Sequence, residues 1–127
     1  HAGWKGTMQR IAARTVGAMT EHYGCRVQDM EVFIGPGIGP CCFEIGHEVA
    51  QKVKAELPDR DLLRNENGRL TWDLARTNFR LLEEIGISAD QIEICGLCTA
   101  CHRDLFFSYR RDSGLTGRMA AVIALQE

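Results

Sequence analysis

The run Gly35-Pro36-Gly37-Ile38-Gly39-Pro40 constrains the fold of this chain more than any other segment. Neither a helix nor an unbroken sheet ladder passes through it, because proline lacks an N–H and glycine favours turns. It stops the apolar run Met30-Glu31-Val32-Phe33-Ile34, which therefore reads as a buried strand. Upstream, Met8, Ile11, Ala12, Thr15, Val16, Met19 and Tyr23 recur at helical spacing. That spacing predicts one helix capped by Thr7 and terminated at Gly24. Downstream, a short extended piece around Cys42–Ile45 leads to a helix over Glu48–Leu57. Pro58–Arg69 reads as a charged loop tipped by Asn67-Gly68. Asp73 caps a further helix through Glu84, with Leu74, Asn78, Leu81, Leu82 and Ile85 roughly on one face and Gly86 closing it. Gln91–Gly96 and Gly117–Leu125 read as strands. Strands alternating with helices, without internal repeats, predict a layered α/β or α+β domain.

At 127 residues the chain is one domain's worth. Fifteen Lys and Arg against seventeen Asp and Glu, a formal net charge of -2, argue against nucleic acid as the partner. No apolar run approaches the roughly 20 residues of a membrane span, and no signal peptide is visible at the start. Six cysteines (Cys25, Cys41, Cys42, Cys95, Cys98 and Cys101) do not resemble a secreted framework, since adjacent Cys41 and Cys42 pair poorly with each other. Reduced thiols and a cytoplasmic location are the expectation.

Four segments carry chemistry. Cys95-Gly-Leu-Cys98-Thr-Ala-Cys101-His102 contains the c-type haem attachment pattern and offers thiolate metal ligands. Haem attachment belongs to exported proteins, and a closed zinc site draws on two separated ligand pairs, whereas no second CxxC exists. Packing is therefore the expected role of these thiols. The Gly-Pro run could bring N–H groups to an anion, but its prolines remove donors, so a rigid turn shaping the wall of a site is favoured. Phe106-Phe107-Ser108-Tyr109-Arg110-Arg111-Asp112, followed by Arg118, sets guanidinium forks beside aromatic rings that stack on a base or a phenol. An aromatic core edge with arginines paired to Asp112 or Asp104 is the competing reading. His22, His47 and His102 are expected in solvated or capping roles.

The fourth segment is the opening His1-Ala2-Gly3-Trp4-Lys5-Gly6, which reads as a strand end turning into a helix. Free backbone N–H groups and the positive end of a helix dipole gather at such a junction. The strand that should precede His1 is absent, so a longer parent protein is expected.

These motifs occur in the order found in a known family: His1–Gly6, Gly35 through Val49, Asp73 with Leu74 and Asn78, Cys98-Thr99, Phe106 through Asp112, and Gly117-Arg118-Met119. The chain strongly resembles the laccase-domain family, also called the multicopper polyphenol oxidase or purine nucleoside phosphorylase family, which includes the peptidoglycan editing factor. The resemblance covers His1 to about Ala124, as the C-terminal portion of a single domain whose N-terminal portion is missing. It implies a layered fold like the catalytic domain of cytotoxic necrotizing factor. It also implies one zinc held by two histidines and a cysteine, of which His1 matches one and the other two lie upstream of this chain. Cys98 matches a family cysteine that is not a zinc ligand, while Cys101 and His102 depart from the pattern. Lys5 stands where many members carry Arg.

Three protein ligands would leave an open zinc position able to activate water. The implied activity is phosphorolysis of adenosine, inosine and methylthioadenosine, together with adenosine deamination. Phosphorolysis needs an anion site, for which Arg110, Arg111 and Arg118 are the candidates; if that segment is extended, only one of Arg110 and Arg111 faces the site. Zinc is the expected metal, with copper the alternative. The alternatives in function are a protein that edits or binds peptidoglycan precursors and a copper-dependent polyphenol oxidase. Multicopper electron transfer requires several histidine-rich sites, which four scattered histidines do not supply.

Overall fold

The computed structural model describes residues 1–57 and 60–124. Four helices, α1 (Trp4–Met8), α2 (Ile11–Tyr23), α3 (His47–Glu56) and α4 (Leu74–Glu84), accompany two small sheets. The first pairs β1 (Val32–Ile34) in parallel with β4 (Ile92–Ile94), Val32 facing Ile92 and Ile34 facing Ile94. The second is an antiparallel hairpin of β2 (Leu63–Glu66) and β3 (Arg69–Trp72). The mixture of helices and small sheets fits the expected α/β class.

α4 organises the core. Asp73 accepts a hydrogen bond from the Arg76 N–H at 2.9 Å, capping the helix as expected. Gly86, at φ +95°, reverses the chain at the other end. Leu81 sits in one buried cluster with Phe43, Val53, Leu57, Leu62 and Trp72. Its neighbour Leu82 sits in another with Val16, Met30, Ile87 and Ile92. Successive helix positions point about 100° apart, so one helix serves as a wedge between two cores.

Three expectations are corrected. The helix predicted from Thr7 to Tyr23 is two helices, broken at Arg10, whose φ of +56° is left-handed. Apolar spacing continues across the break and so does not reveal it, and Thr7 lies fully buried inside α1 instead of capping a helix. The charged loop contains the β2–β3 hairpin, turned at Asn67 and Gly68 with φ of +53° and +85°. Positive φ at both central residues is what a two-residue hairpin needs; Pro58 and Asp59 lie outside the described residues. The strand expected over 117–125 is irregular across its described part, and Val122 and Ile123 are exposed. A strand requires a neighbour to complete its hydrogen bonds, and no described strand lies alongside this segment. The extended piece after Cys42 is present: Ile45 donates to the Leu70 carbonyl, and Trp72 donates to that of Phe43, so it lines the edge of β3.

Candidate functional site

The parallel pair determines which loops meet. Beyond β1 and β4 the two chains stay side by side: Cys95 donates to the Ile34 carbonyl at 2.9 Å, and Thr99 donates to that of Gly37 at 2.9 Å. Gly37 bridges Cys98, so one extra residue is taken up on the β4 side, at Gly96 with φ +72°. This is the behaviour of a bulge. The Gly-Pro turn is thereby laid against the Cys95–His102 turn at the carboxyl ends of two parallel strands, where α/β sheets commonly place ligands.

The consequence is a four-thiol cluster. The Sγ atoms of Cys41, Cys42, Cys98 and Cys101 all lie within 4.8 Å of one another. Cys101 Sγ stands 3.6 Å from that of Cys41 and 3.5 Å from that of Cys42. Two thiols come from each turn, a donor set that could hold a metal ion. The expected packing role fits buried Cys98, whereas Cys41 and Cys101 are exposed. The second ligand pair absent from the Cys95–His102 run is supplied by adjacent Cys41 and Cys42. Adjacency was the signal, set aside because it excludes a disulfide between the two. Cys95 and Cys25 stand outside the cluster.

The electrostatics of the four thiols differ. Burial pushes the Cys98 thiol up, but backbone N–H groups of Gly39, Cys101 and Ala100 outweigh burial and bring it to about 6. The Gly39 N–H donates to Cys98 Sγ at 3.2 Å. Cys41 is raised by burial and Cys101 by its bond with Cys42. The Cys101 contact lowers Cys42, yet burial and the thiols of Cys41 and Cys98 raise it overall. His102 Nδ1 lies 2.9 Å from the Cys98 carbonyl, and its ring meets Phe106 edge-on.

His1 is exposed at the other candidate position. Its Nε2 lies over Gly3 so closely that a Cβ there would stand 2.7 Å away. The segment is held from beneath: Thr7 N donates to the Gly3 carbonyl at 2.8 Å, and Thr7 Oγ1 donates to that of Ala2 at 3.2 Å. Asn78 Nδ2 donates to Thr7 Oγ1 and to the Leu74 carbonyl, both at 2.9 Å. Asn78 Oδ1 is buried with no hydrogen-bond partner. Among the described residues, no group of three or more His, Cys, Asp or Glu side chains converges on His1.

The three arginines are placed differently. The segment from Tyr109 to Gly114 is a series of turns, so the strand-like alternation expected for Arg110 and Arg111 does not occur. Arg111 is consumed internally: Nε and Nη2 donate to Asp112 at 2.8 Å each, Nη1 to the Thr99 carbonyl at 3.0 Å, and Nη2 to that of Phe106 at 3.1 Å. The Arg111 guanidinium holds the Asp112 carboxyl below its ordinary value. Arg118 donates to the carbonyls of Thr116 and Gly117. Exposed Arg110 donates to the Glu44 carbonyl at 2.9 Å and stands 5.2 Å from the Phe43 ring centre.

Residues 1–126 match the family described as multi-copper polyphenol oxidoreductase laccase, and the chain belongs to that family. It is 37% identical, over its whole length, to purine nucleoside phosphorylase YlmD of Bacillus subtilis (strain 168), covering 46% of that protein. It is 39% identical to the human purine nucleoside phosphorylase LACC1, covering 30% of it. The crystal structure of YlmD from Geobacillus stearothermophilus superposes with a TM-score of 0.83 at 36% identity, over 92% of this chain and 44% of that one. The chain thus spans less than half the length of these relatives. None of its helices is long and apolar enough to cross a membrane, among the described residues.

Proposed function

We propose that the protein carrying this chain is a zinc-dependent purine nucleoside phosphorylase acting on adenosine, inosine and methylthioadenosine, with adenosine deamination as a second reaction. The observation that carries this reading is the alignment of proteins named purine nucleoside phosphorylase along the whole chain, beginning at His1. The chain is read as the C-terminal portion of one domain. Phe33, Tyr109, Leu115, Val122 and Ile123 are exposed apolar side chains that a further portion would cover, and among the described residues the β1–β4 sheet has no further strand at either edge.

His1 fits as one corner of the zinc site: an exposed imidazole on a segment fixed from beneath, its ring lying over Gly3. The other two ligands fall to the missing portion. Zinc, when bound, supplies a Lewis acid that polarises substrate or water. The chain's own residues then have separable tasks. Thr7 and Asn78 hold the backbone that carries His1. Arg110 is the phosphate candidate of the three arginines: Arg111 is spent on Asp112 and two turns and Arg118 Nη1 on its own neighbouring carbonyls, whereas exposed Arg110 commits only Nη1, to the Glu44 carbonyl. Exposed Tyr109, beside Arg110, offers a ring for the purine. Six free thiols fit a reducing, cytoplasmic setting.

The test is incubation of the full-length protein with adenosine and phosphate. Adenine with ribose 1-phosphate reports phosphorolysis, and inosine reports deamination. A folded, zinc-loaded protein that forms none of these overturns the proposal.

A further inference from the structure

The cluster of Cys41, Cys42, Cys98 and Cys101 belongs to neither the purine site nor the cores, and four thiols rarely converge without a task. We propose that these four side chains form a second, structural metal site, holding one tetrahedral thiolate-bound ion of the zinc class that clamps the Gly-Pro turn to the Cys95–His102 turn.

Geometry carries the inference. A tetrahedral ion with metal–sulfur bonds of about 2.3 Å separates its sulfurs by about 3.8 Å. The Cys41–Cys101 and Cys42–Cys101 distances of 3.6 and 3.5 Å bracket that edge closely from below, and no pair exceeds 4.8 Å. A disulfide would use two of the four and leave the other two without a reason to approach. The surroundings also suit a thiolate site. The Gly39 N–H is aimed at Cys98 Sγ, the kind of outer hydrogen bond that stabilises bound thiolate. Gly39 is packed closely against the cluster: a Cβ there would lie 3.2 Å from Cys98 Cβ and 3.3 Å from Cys41 Sγ. From the far side, Arg69 Nη2 donates to the Cys41 carbonyl at 3.0 Å and its Nε to Glu44 at 3.1 Å, bracing the first turn against the hairpin. Binding releases to solvent the protons the thiols still hold, with no change of oxidation state. The donor set is all sulfur and shares no residue with the His1 site, so the proposal stands apart from the purine nucleoside reading.

The test uses the full-length protein, reduced and stripped of metal, with Zn²⁺ and Co²⁺ as probes. Zinc at about tenfold over its dissociation constant should slow alkylation of Cys41, Cys42, Cys98 and Cys101 roughly tenfold, leaving Cys25 and Cys95 unprotected. Cobalt should give an intense sulfur-to-metal absorption band with the visible bands of a tetrahedral ion. That band should keep its cluster-derived intensity in His1→Ala, Cys25→Ser and Cys95→Ser and weaken in Cys42→Ser and Cys101→Ser. Alkylation of Cys41, Cys42, Cys98 and Cys101 unchanged by zinc, a sulfur band undiminished in Cys42→Ser and Cys101→Ser, or a Cys41–Cys101 or Cys42–Cys101 disulfide in protein isolated under thiol-blocking conditions would each overturn the proposal. The alkylation measurement needs no variant, so a misfolded mutant does not blur the outcome. Nucleoside turnover is a separate reading: its failure alongside cobalt-sulfur absorption removes the purine proposal and leaves this one.

Discussion

Replacing Thr7 by valine keeps the shape of a fully buried side chain and removes only its hydroxyl. The hydroxyl has two roles, donating to the Ala2 carbonyl and accepting from Asn78 Nδ2. The Ala2 carbonyl belongs to an exposed residue and can turn to water. Asn78 has no such recourse. Its side chain is 5% exposed and its Oδ1 already lacks a partner. One Nδ2 hydrogen keeps the Leu74 carbonyl, and the other is left unpaired in the core. A buried donor stripped of its acceptor costs about 1–3 kcal/mol. Urea unfolding should therefore show Thr7→Val destabilised within that range with an unchanged slope. Asn78→Leu should lose stability too, but the double variant should fall well short of the sum. Once both polar partners are gone, nothing is left unsatisfied, giving a coupling of about 1 kcal/mol or more. A Thr7→Val loss below about 0.5 kcal/mol, or strict additivity with Asn78→Leu, would refute the assignment of this pair as a buried polar link.

Arg110→Gln in the full-length protein should raise the phosphate requirement of phosphorolysis while sparing deamination, and cost roughly 1.5–3 kcal/mol of phosphate-dependent transition-state binding; unchanged phosphorolysis removes Arg110 from the site. Arg111→Gln should lower both activities and the thermal midpoint together, because it unties the Thr99 and Phe106 carbonyls from Asp112. The lowered carboxyl of Asp112 gives stability that is complete above the ordinary carboxylate value of about 3.9 and lost as pH falls through its folded value. The gap in melting temperature between the parent protein and Asp112→Asn should accordingly be constant near neutrality and close in acid; a gap that widens in acid contradicts the sign. Gly68→Ala forces a side chain into φ +85° at the hairpin turn, and a chemical-denaturation loss of about 1 kcal/mol is expected.

Local signals in the sequence were enough to place α4, the end of α2 and the stop of β1, because each is bounded by a residue with one dominant conformational use. Asp73 caps, Gly24 and Gly86 reverse the chain, and the Gly-Pro run halts β1. The kink at Arg10 escaped because a left-handed arginine carries no compositional mark and apolar spacing continues through it. The hairpin escaped for the opposite reason: Asn67-Gly68 was visible, but Leu63-Arg64-Asn65-Glu66 is too polar on its exposed face to look like a strand. At the site, His1 and the arginines were legible as types, whereas their engagement was not. Whether a guanidinium is available to a ligand depends on which carbonyls the fold brings to it, and Thr99 and Phe106 reach Arg111 only once the turns after Ala100 are formed. The cysteine cluster is the sharper case. It joins adjacent residues on one turn to a CxxC on another about sixty positions away, and only the β1–β4 register, with its extra residue at Gly96, makes them neighbours.

Both candidate centres hang on α4, although neither takes a ligand from it. Asn78, on one side of the helix, holds Thr7 and through it the backbone of His1. Leu82, one turn further along the same face, shares a core cluster with Met30, just before β1, and with Ile92 of β4, whose pairing with β1 brings the two cysteine turns together. Leu81, about 100° round the helix from Leu82, fills the core with Phe43, immediately after the Cys41-Cys42 pair. A cavity opened at Leu81 or Leu82 would therefore act on metal binding without touching a ligand, whereas breaking the Thr7–Asn78 link should loosen His1 and leave the thiol cluster in register. Asn78 and Leu82 lie one turn apart on the same face, so the separation comes from what each touches: the buried polar link to Thr7 fixes position, whereas the apolar packing at Leu82 answers to volume.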